Sequence, residues 1–354
     1  MRTLVYYYDR KKVEAKVVEN IFRGYSVEKL FSIYDVLYNR NRSEKELKKR
    51  RSELLETQID KKIAEEKVNY PNEEIQIIFF GTDKIVRDAI KYVKNKYNNI
   101  KIKLIFDTYE GLIFDQYEMK NFSKMLELAK NNTVEKIYFF KKSIAKAYKK
   151  MGYNTGYIMQ NYNLDKDAYE DRLKDRKNDL AKKEKIVIGA FPSSNYWNSN
   201  IYNIYSVSSF FENAILKCKI QSERDIDFIK TYNIDSTPVS FSNENIDALI
   251  SNIIESDVVL DLDFTANNNI NFLICATFGI PCLIGNNNDL FIDLPFIYSD
   301  KIVTNTEDNP YENSEKIKNI IENLDLTDLK EKLIIWKKEY DKLQKQNIEK
   351  VIGE

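Results

Sequence analysis

The sequence predicts an α/β protein built on parallel sheets. Three observations carry that expectation. Short, nearly continuous apolar runs recur along the chain, as strands buried on both faces require. Segments with apolar residues at three- and four-residue spacing separate them. Glycines close several of the runs: Gly81 after Ile77–Phe80, Gly189 after Ile186–Ile188 and Gly285 after Cys282–Ile284. A glycine at a strand's carboxyl end permits a tight turn, and ligands in open α/β sheets bind at that end. The plainer alternative is that these are turn glycines alone.

In chain order the expected strands are Leu4–Tyr8, Ile75–Phe80 (one Gln among apolar residues), Ile102–Phe106, Lys136–Phe140 and Gly156–Met159. A second series comprises Ile186–Ile188, Leu216–Ile220, Val258–Leu262 and Cys282–Ile284. Between them, Lys84–Lys96, Phe122–Lys130 and Asn243–Ile254 carry helical periodicity. Strand alternating with helix gives parallel pairing.

The 354 residues suggest about two domains at roughly 150 residues each. A composition shift from Asn163 to Lys185, charged and nearly free of aromatics, marks the boundary. The expected organisation is a first domain over 1–160, a linker or crossover helix over 161–185 and a second domain over 186–354. A charged helical segment, 43–68, belongs to the first domain; Leu47, Leu54, Ile59 and Ile63 give it a thin apolar stripe, and Ser43 with Glu46 fits a capping box. It reads as a solvated helix packed on that domain or, alternatively, as a helix offered to a partner. Leu326–Glu349, with Leu333, Trp336, Tyr340 and Leu343, reads as a long amphipathic helix.

Composition excludes several chemistries. With no histidine, Ser-His-Asp and Cys-His nucleophile systems and His-ligated metals are absent together. Cys218, Cys275 and Cys282 cannot form a four-ligand zinc cage; odd in number and well separated, they fit free thiols in a reducing cytosol. No metal is expected. Nine glycines occur, and neither a dinucleotide fingerprint nor a P-loop can be assembled from them. The 55 basic and 55 acidic residues leave no net positive field, so nucleic acid is not an expected partner. No apolar run is long enough to span a bilayer and no signal peptide is legible, so the expected location is cytoplasmic, with peripheral membrane attachment left open.

Local sequences then carry a resemblance. Phe278-Gly279-Ile280-Pro281-Cys282-Leu283-Ile284-Gly285-Asn286-Asn287 resembles the helix-to-strand turn of the carboxyl-terminal domain in GT-B glycosyltransferases. Ile186–Gly189 leading into Trp197, Asn200, Tyr202 and Asn203 resembles the strand, loop and helix start of a bacterial surface-glycan subgroup, as does Phe140–Ile144 through Lys149–Asn154. Asp308-Asn309-Pro310 also fits. The chain therefore resembles GT-B enzymes, nearest to retaining family-4-like glycosyltransferases, over roughly residues 134–350. The resemblance implies two Rossmann-type parallel-sheet domains facing across a cleft, acceptor side first and nucleotide-sugar side second, with long carboxyl-terminal helices. It implies a role in surface-glycan or protein glycosylation.

In the resembling enzymes two glutamates hold the donor sugar; the corresponding positions here are Ala266 and Ile274. The diphosphate-binding Arg and Lys fall at Tyr196 and Ser199. Two acids and two bases are thus replaced together. Losing two charged diphosphate contacts removes roughly 3–6 kcal/mol of donor interaction. The remaining candidate donor-site residues are Ser193, Ser194, Asn195, Tyr196, Trp197, Ser199, Asn200, Thr265, Asn267, Asn268 and Gly279, a polar, uncharged set. Asn267–Asn271 equally reads as a helix cap.

Three functions follow. One is an accessory, degenerate glycosyltransferase that partners an active one or a homodimer copy and binds a glycan or protein acceptor. Another is an active, metal-independent enzyme whose charge comes from Asp261, Asp263, Lys141 or Lys142, using a nucleotide-sugar donor the sequence does not identify. A third is a glycan- or peptide-binding module that stacks sugars on Trp197 and some of the 24 tyrosines.

Overall fold

The computed structural model describes the chain except residues 9–17, 20, 31–43, 108–112, 114–115, 161–163, 165, 175–183, 193–199, 242–244, 264–268 and 354, and it describes only the backbone of 44–52. Two compact units result: residues 1–159 with 346–354, and residues 160–345. Each holds a six-stranded sheet, and every strand pair is parallel.

In the first unit the sheet order is β2-β1-β3-β4-β5-β6. Its strands are β1 (Arg2–Tyr7), β2 (Ser26–Lys29), β3 (Ile75–Phe80), β4 (Lys101–Phe106), β5 (Lys136–Phe139) and β6 (Thr155–Tyr157). Helices α1 (Glu44–Asn69), α2 (Lys84–Lys96), α3 (Gln116–Lys130) and α4 (Lys142–Lys150) accompany it. Leu55, Ile59 and Ile63 of α1 join Ile77, Phe79, Ile90 and Leu104 in one buried cluster. The apolar stripe of α1 differs from expectation at one position: Leu54 is exposed and Leu55 is buried in its place, because Leu55, Ile59 and Ile63 share the four-residue spacing that keeps one face inward. The side chain of Leu47 and the expected Ser43 cap lie outside the described residues.

The second sheet runs β12-β11-β10-β7-β8-β9. Its strands are β7 (Ile186–Ala190), β8 (Ala214–Lys219), β9 (Ser236–Val239), β10 (Val258–Asp261), β11 (Cys282–Gly285) and β12 (Val303–Thr304). The main helices are α5 (Ile201–Ser206), α6 (Glu223–Thr231), α7 (Ile246–Ile254), α8 (Ile270–Phe278), α9 (Pro310–Asn323) and α10 (Leu326–Gly353). Part of the charged boundary segment docks on this unit: the Tyr169 hydroxyl donates to Asp247 Oδ1 at 2.7 Å, and Arg172 bonds the Ser251 hydroxyl.

Three strands escaped the sequence reading: β2, β9 and β12. Each is a sheet edge, where burial is partial and apolar continuity is not required. Pro238 in β9 is tolerated there because an edge strand leaves one row of backbone groups unpaired. Of the three expected turn glycines, only Gly81 has a positive φ, +108°. Gly189 instead lies inside β7, where a Cβ would stand 2.4 Å from Ser256 Oγ, so its role is close packing.

The end of α10 belongs to the first unit, not to the second as the sequence suggested. Buried Lys103 on β4 donates to the Val351 carbonyl at 2.7 Å, and Gln76 on β3 donates to the Ile352 carbonyl at 2.5 Å. These carbonyls lie in the last turn of a helix, where no intrahelical N–H reaches them. Asn347 adds two bonds, accepting from Met159 N at 2.8 Å and donating to the Tyr157 carbonyl at 3.2 Å.

Candidate functional site

Sheet order nominates a candidate site. In the second unit the chain starts at β7, builds β8 and β9 on one side, then crosses to β10, β11 and β12 on the other. The order reverses between β7 and β10, and open α/β sheets bind ligands at the carboxyl ends beside such a reversal. The loops leaving β7 and β10 hold the residues the sequence nominated. Ser193, Ser194, Asn195, Tyr196, Trp197, Ser199, Thr265, Ala266, Asn267 and Asn268 themselves lie outside the described residues.

Their flanks are described and bonded together. Asn200, just after the first loop, donates its side-chain amide to the Leu262 carbonyl at 3.2 Å, just before the second. Asn271, after the second loop, donates to the Phe191 carbonyl at 3.1 Å, before the first. Two hydrogen bonds therefore tie the flanks of the two nominated segments to each other.

Asparagines hold the rest of this edge. The Asn200 amide also reaches the Glu307 carbonyl at 2.5 Å, and its side-chain oxygen accepts from Asn203 at 2.7 Å. The residue is buried, with a left-handed φ of 50° that asparagine tolerates. Asn287 donates to the Asp263 carbonyl at 2.5 Å, and Asn313 to the Thr306 carbonyl at 3.0 Å. The Glu307 carboxylate accepts from Asn286 N at 2.8 Å. Asn200 thus arranges the edge with both ends of its side chain engaged.

Of the two described positions singled out near α8, Ile274 is fully buried. Gly279 ends that helix at φ 68°, its N–H donating to the Cys275 carbonyl; a Cβ would stand 2.3 Å from Lys330 Cγ. Gly279 serves a helix-to-strand turn packed against α10. The expected asparagine cap takes another form: Asn269, the residue before α8, makes no side-chain cap. Asp261, the last residue of β10, accepts the Phe272 N–H at 3.3 Å instead.

Asp261 is the chemically distinctive group. Burial pushes its carboxyl up to about 6 from the ordinary 3.8, although hydrogen bonds from Phe272 N–H and the Asn271 side chain pull the other way. A carboxyl titrating there exchanges protons near neutral pH, and such groups cluster at functional sites.

A cation that the sequence reading missed also ends a strand. Lys219, at the carboxyl end of β8 beside β7, is buried, and burial lowers its proton affinity. Its ammonium lies 4.9 Å from the centre of the Phe241 ring. Strand alternation was the available signal: Lys217 and Lys219 flank Cys218 in an otherwise apolar run. Lys217 pairs with Glu255. Among the described residues no group of three or more Cys, Asp or Glu side chains could hold a metal, and no helix is long and apolar enough to cross a membrane.

No protein-family model matches the sequence, and no curated protein is significantly similar to it. Solved structures are similar over the whole length. HepE of Anabaena, solved with UDP and glucose, aligns with TM-score 0.64 and 11% identity, covering 100% of both chains. Sucrose-phosphate synthase of Thermosynechococcus elongatus aligns with TM-score 0.63 and 11% identity, covering 100% of this chain and 98% of that one. A glycosyltransferase of Rickettsia africae aligns at 0.56 and 12%, covering 98% of each. The two parallel six-stranded sheets with flanking helices and a long carboxyl-terminal helix are the GT-B fold of these glycosyltransferases.

Proposed function

We propose that the chain is a glycosyltransferase-family protein whose donor chemistry is lost, and that it assists an active glycosyltransferase in surface-glycan or protein glycosylation. On this reading the first unit is the acceptor side and the second the nucleotide-sugar side. The observation that carries the proposal is Ile274. The resemblance puts a donor-binding glutamate at this position, and here an apolar side chain is sealed inside the second unit. An exposed replacement would leave room for a neighbouring acid to serve; a buried one does not. Tyr196, Ser199 and Ala266 remove the other charged groups by sequence alone.

The fold itself supports a diphosphate binder, since the Anabaena relative is solved with UDP and glucose. Ser193–Trp197, Ser199, Thr265, Asn267 and Asn268 are the proposed contacts, and the residues flanking their two segments are bonded to one another beside the β7–β10 reversal through Asn200 and Asn271. A weakly held nucleotide sugar fits this set.

One observation favours the alternative, an active metal-independent enzyme: the proton-exchanging Asp261 carboxyl at the same strand end. The two readings separate in one experiment. The full chain is titrated calorimetrically with UDP, GDP and their sugars, and nucleoside diphosphate release is followed with and without glycan acceptors. The accessory reading expects weak or no binding, no release, and co-purification of a related chain from the native cells. Release that disappears in Asp261→Asn establishes the enzyme instead.

A further inference from the structure

The first unit carries a concentration of positive charge on two of its helices, α2 and α3. On α2, Arg87, Lys91 and Lys94 fall at spacings of four and three, which places them on one face. On α3, Lys120 and Lys124 are four apart. Between these faces lies a groove of about 420 Å³ lined by Arg87, Lys91, Lys94 and Lys124, with Glu127 the one carboxylate among its described lining residues. Arg87 forms a buried floor, held by Asn121 Oδ1 at 3.5 Å and Asp88 at 3.8 Å.

The cations sense one another. The proton affinity of Lys124 is lowered, first by Arg87, then by burial, Lys120 and Lys91, and only Glu127 opposes them. A folded chain that gathers like charges in a concave site bears their repulsion until an anion enters. Lys and Arg donors match phosphate oxygens, and the volume suits a small ligand. Chain direction separates this groove from the carboxyl edge: α2 leaves that end of β3 and runs back, and Asn131 and Thr133 of the lining precede the start of β5. From Arg87 in the first turn of α2, the rest of the lining therefore extends toward the amino-terminal edge of the first sheet.

We propose that the α2–α3 groove is a binding site for a multiply charged phosphate group, carried by a free polyphosphate or phosphate ester or by a lipid headgroup. It stands independently of any donor site in the second unit. The test uses the full chain, tripolyphosphate as the free probe, and phosphatidylcholine vesicles with and without phosphatidic acid as the lipid probe. The double variant Lys91→Gln/Lys124→Gln alters two surface residues, and Lys91→Arg/Lys124→Arg controls for the fold. A free ligand is indicated when tripolyphosphate binds the native chain, weakens between about 50 and 300 mM salt, and binds the glutamine variant about tenfold or more weakly with the arginine variant restored. A lipid source is indicated when only phosphatidic acid vesicles retain the native chain and the glutamine variant is lost from them. The proposal is overturned if the native chain binds neither probe, or if the glutamine variant binds as the native chain does.

Discussion

The ammonium of Lys103, buried in the middle of a parallel strand, donates to the backbone carbonyl of Val351 at 2.7 Å. A lysine there looks like an error in an apolar pattern, and so does Gln76 on the neighbouring strand. Both side chains close the end of α10, whose last carbonyls carry partial negative charge. Gln76 also donates to Thr3 Oγ1 at 2.7 Å, so its amide nitrogen links the sheet to the helix end.

Lys103→Met keeps the stem's volume and removes the donor. It should leave the Val351 carbonyl unsatisfied, cost about 1.5–3 kcal/mol, and free residues 346–354 from the first unit. Hydrogen exchange in the last two turns of α10, compared with urea midpoints, measures both effects. Unchanged protection in that helix end would show that Lys103 contributes only packing.

Asp261 predicts a pH dependence of stability. Its folded carboxyl titrates at about 6, above the ordinary 3.8, so the folded state binds the proton more tightly than the unfolded chain. Stability from this group is full below the unfolded value of 3.8 and is lost as pH rises through about 6, on the order of 3 kcal/mol in all. Asp261→Asn removes the charge yet leaves an acceptor for the Phe272 N–H. The variant should gain on the native chain steadily as pH rises from about 3 to 6 and keep that full gain at pH 7.5. Urea unfolding across that range decides; parallel curves for the two proteins would mean that Asp261 ionises normally.

The legible part of this fold was its interior. Strands such as Ile75–Phe80 announce themselves because burial on both faces demands continuous apolar residues. Edge strands lack that demand, so β2, β9 and β12 read as loops. The two candidate loops were nominated from the resemblance, and the β7–β10 reversal is a separate, topological reason to nominate them. Asp261 was legible as an acid at a strand end, but its raised titration depends on burial and on Asn271, which only the folded chain brings together. Asn200 was nominated as a ligand-binding residue; its partners Leu262 and Glu307 are 62 and 107 residues away, beyond any local pattern.

Asn200 tests whether the site loops are held by side-chain bonds. Asn200→Gly accepts the left-handed backbone at no steric cost, so the substitution isolates the amide. The Leu262 carbonyl loses a donor, whereas the Glu307 carbonyl retains Asn313 at 3.3 Å. The expected loss is about 1–3 kcal/mol in urea unfolding, with faster protease cleavage within 193–199 or 264–268. Cleavage at the native rate in both loops would refute the anchoring role.

Gly279 provides the sharpest contrast between strain and space. Alanine there meets two obstacles: the positive φ of 68°, and a Cβ placed 2.3 Å from Lys330 Cγ and 3.0 Å from the Lys330 carbonyl oxygen. Gly152 has φ 92° and nothing within 4 Å of the place a methyl group would take, so Gly152→Ala carries backbone strain alone. Strain of this kind costs about 1–3 kcal/mol. Lys330 Cγ can swing aside, but the carbonyl is fixed in α10, so Gly279→Ala must also push that helix away from the end of α8. The expected order of urea midpoints is native, then Gly152→Ala, then Gly279→Ala, with the second substitution costing at least about 1 kcal/mol more than the first. Equal losses would mean that α10 yields freely at this contact and that conformation alone requires the glycine.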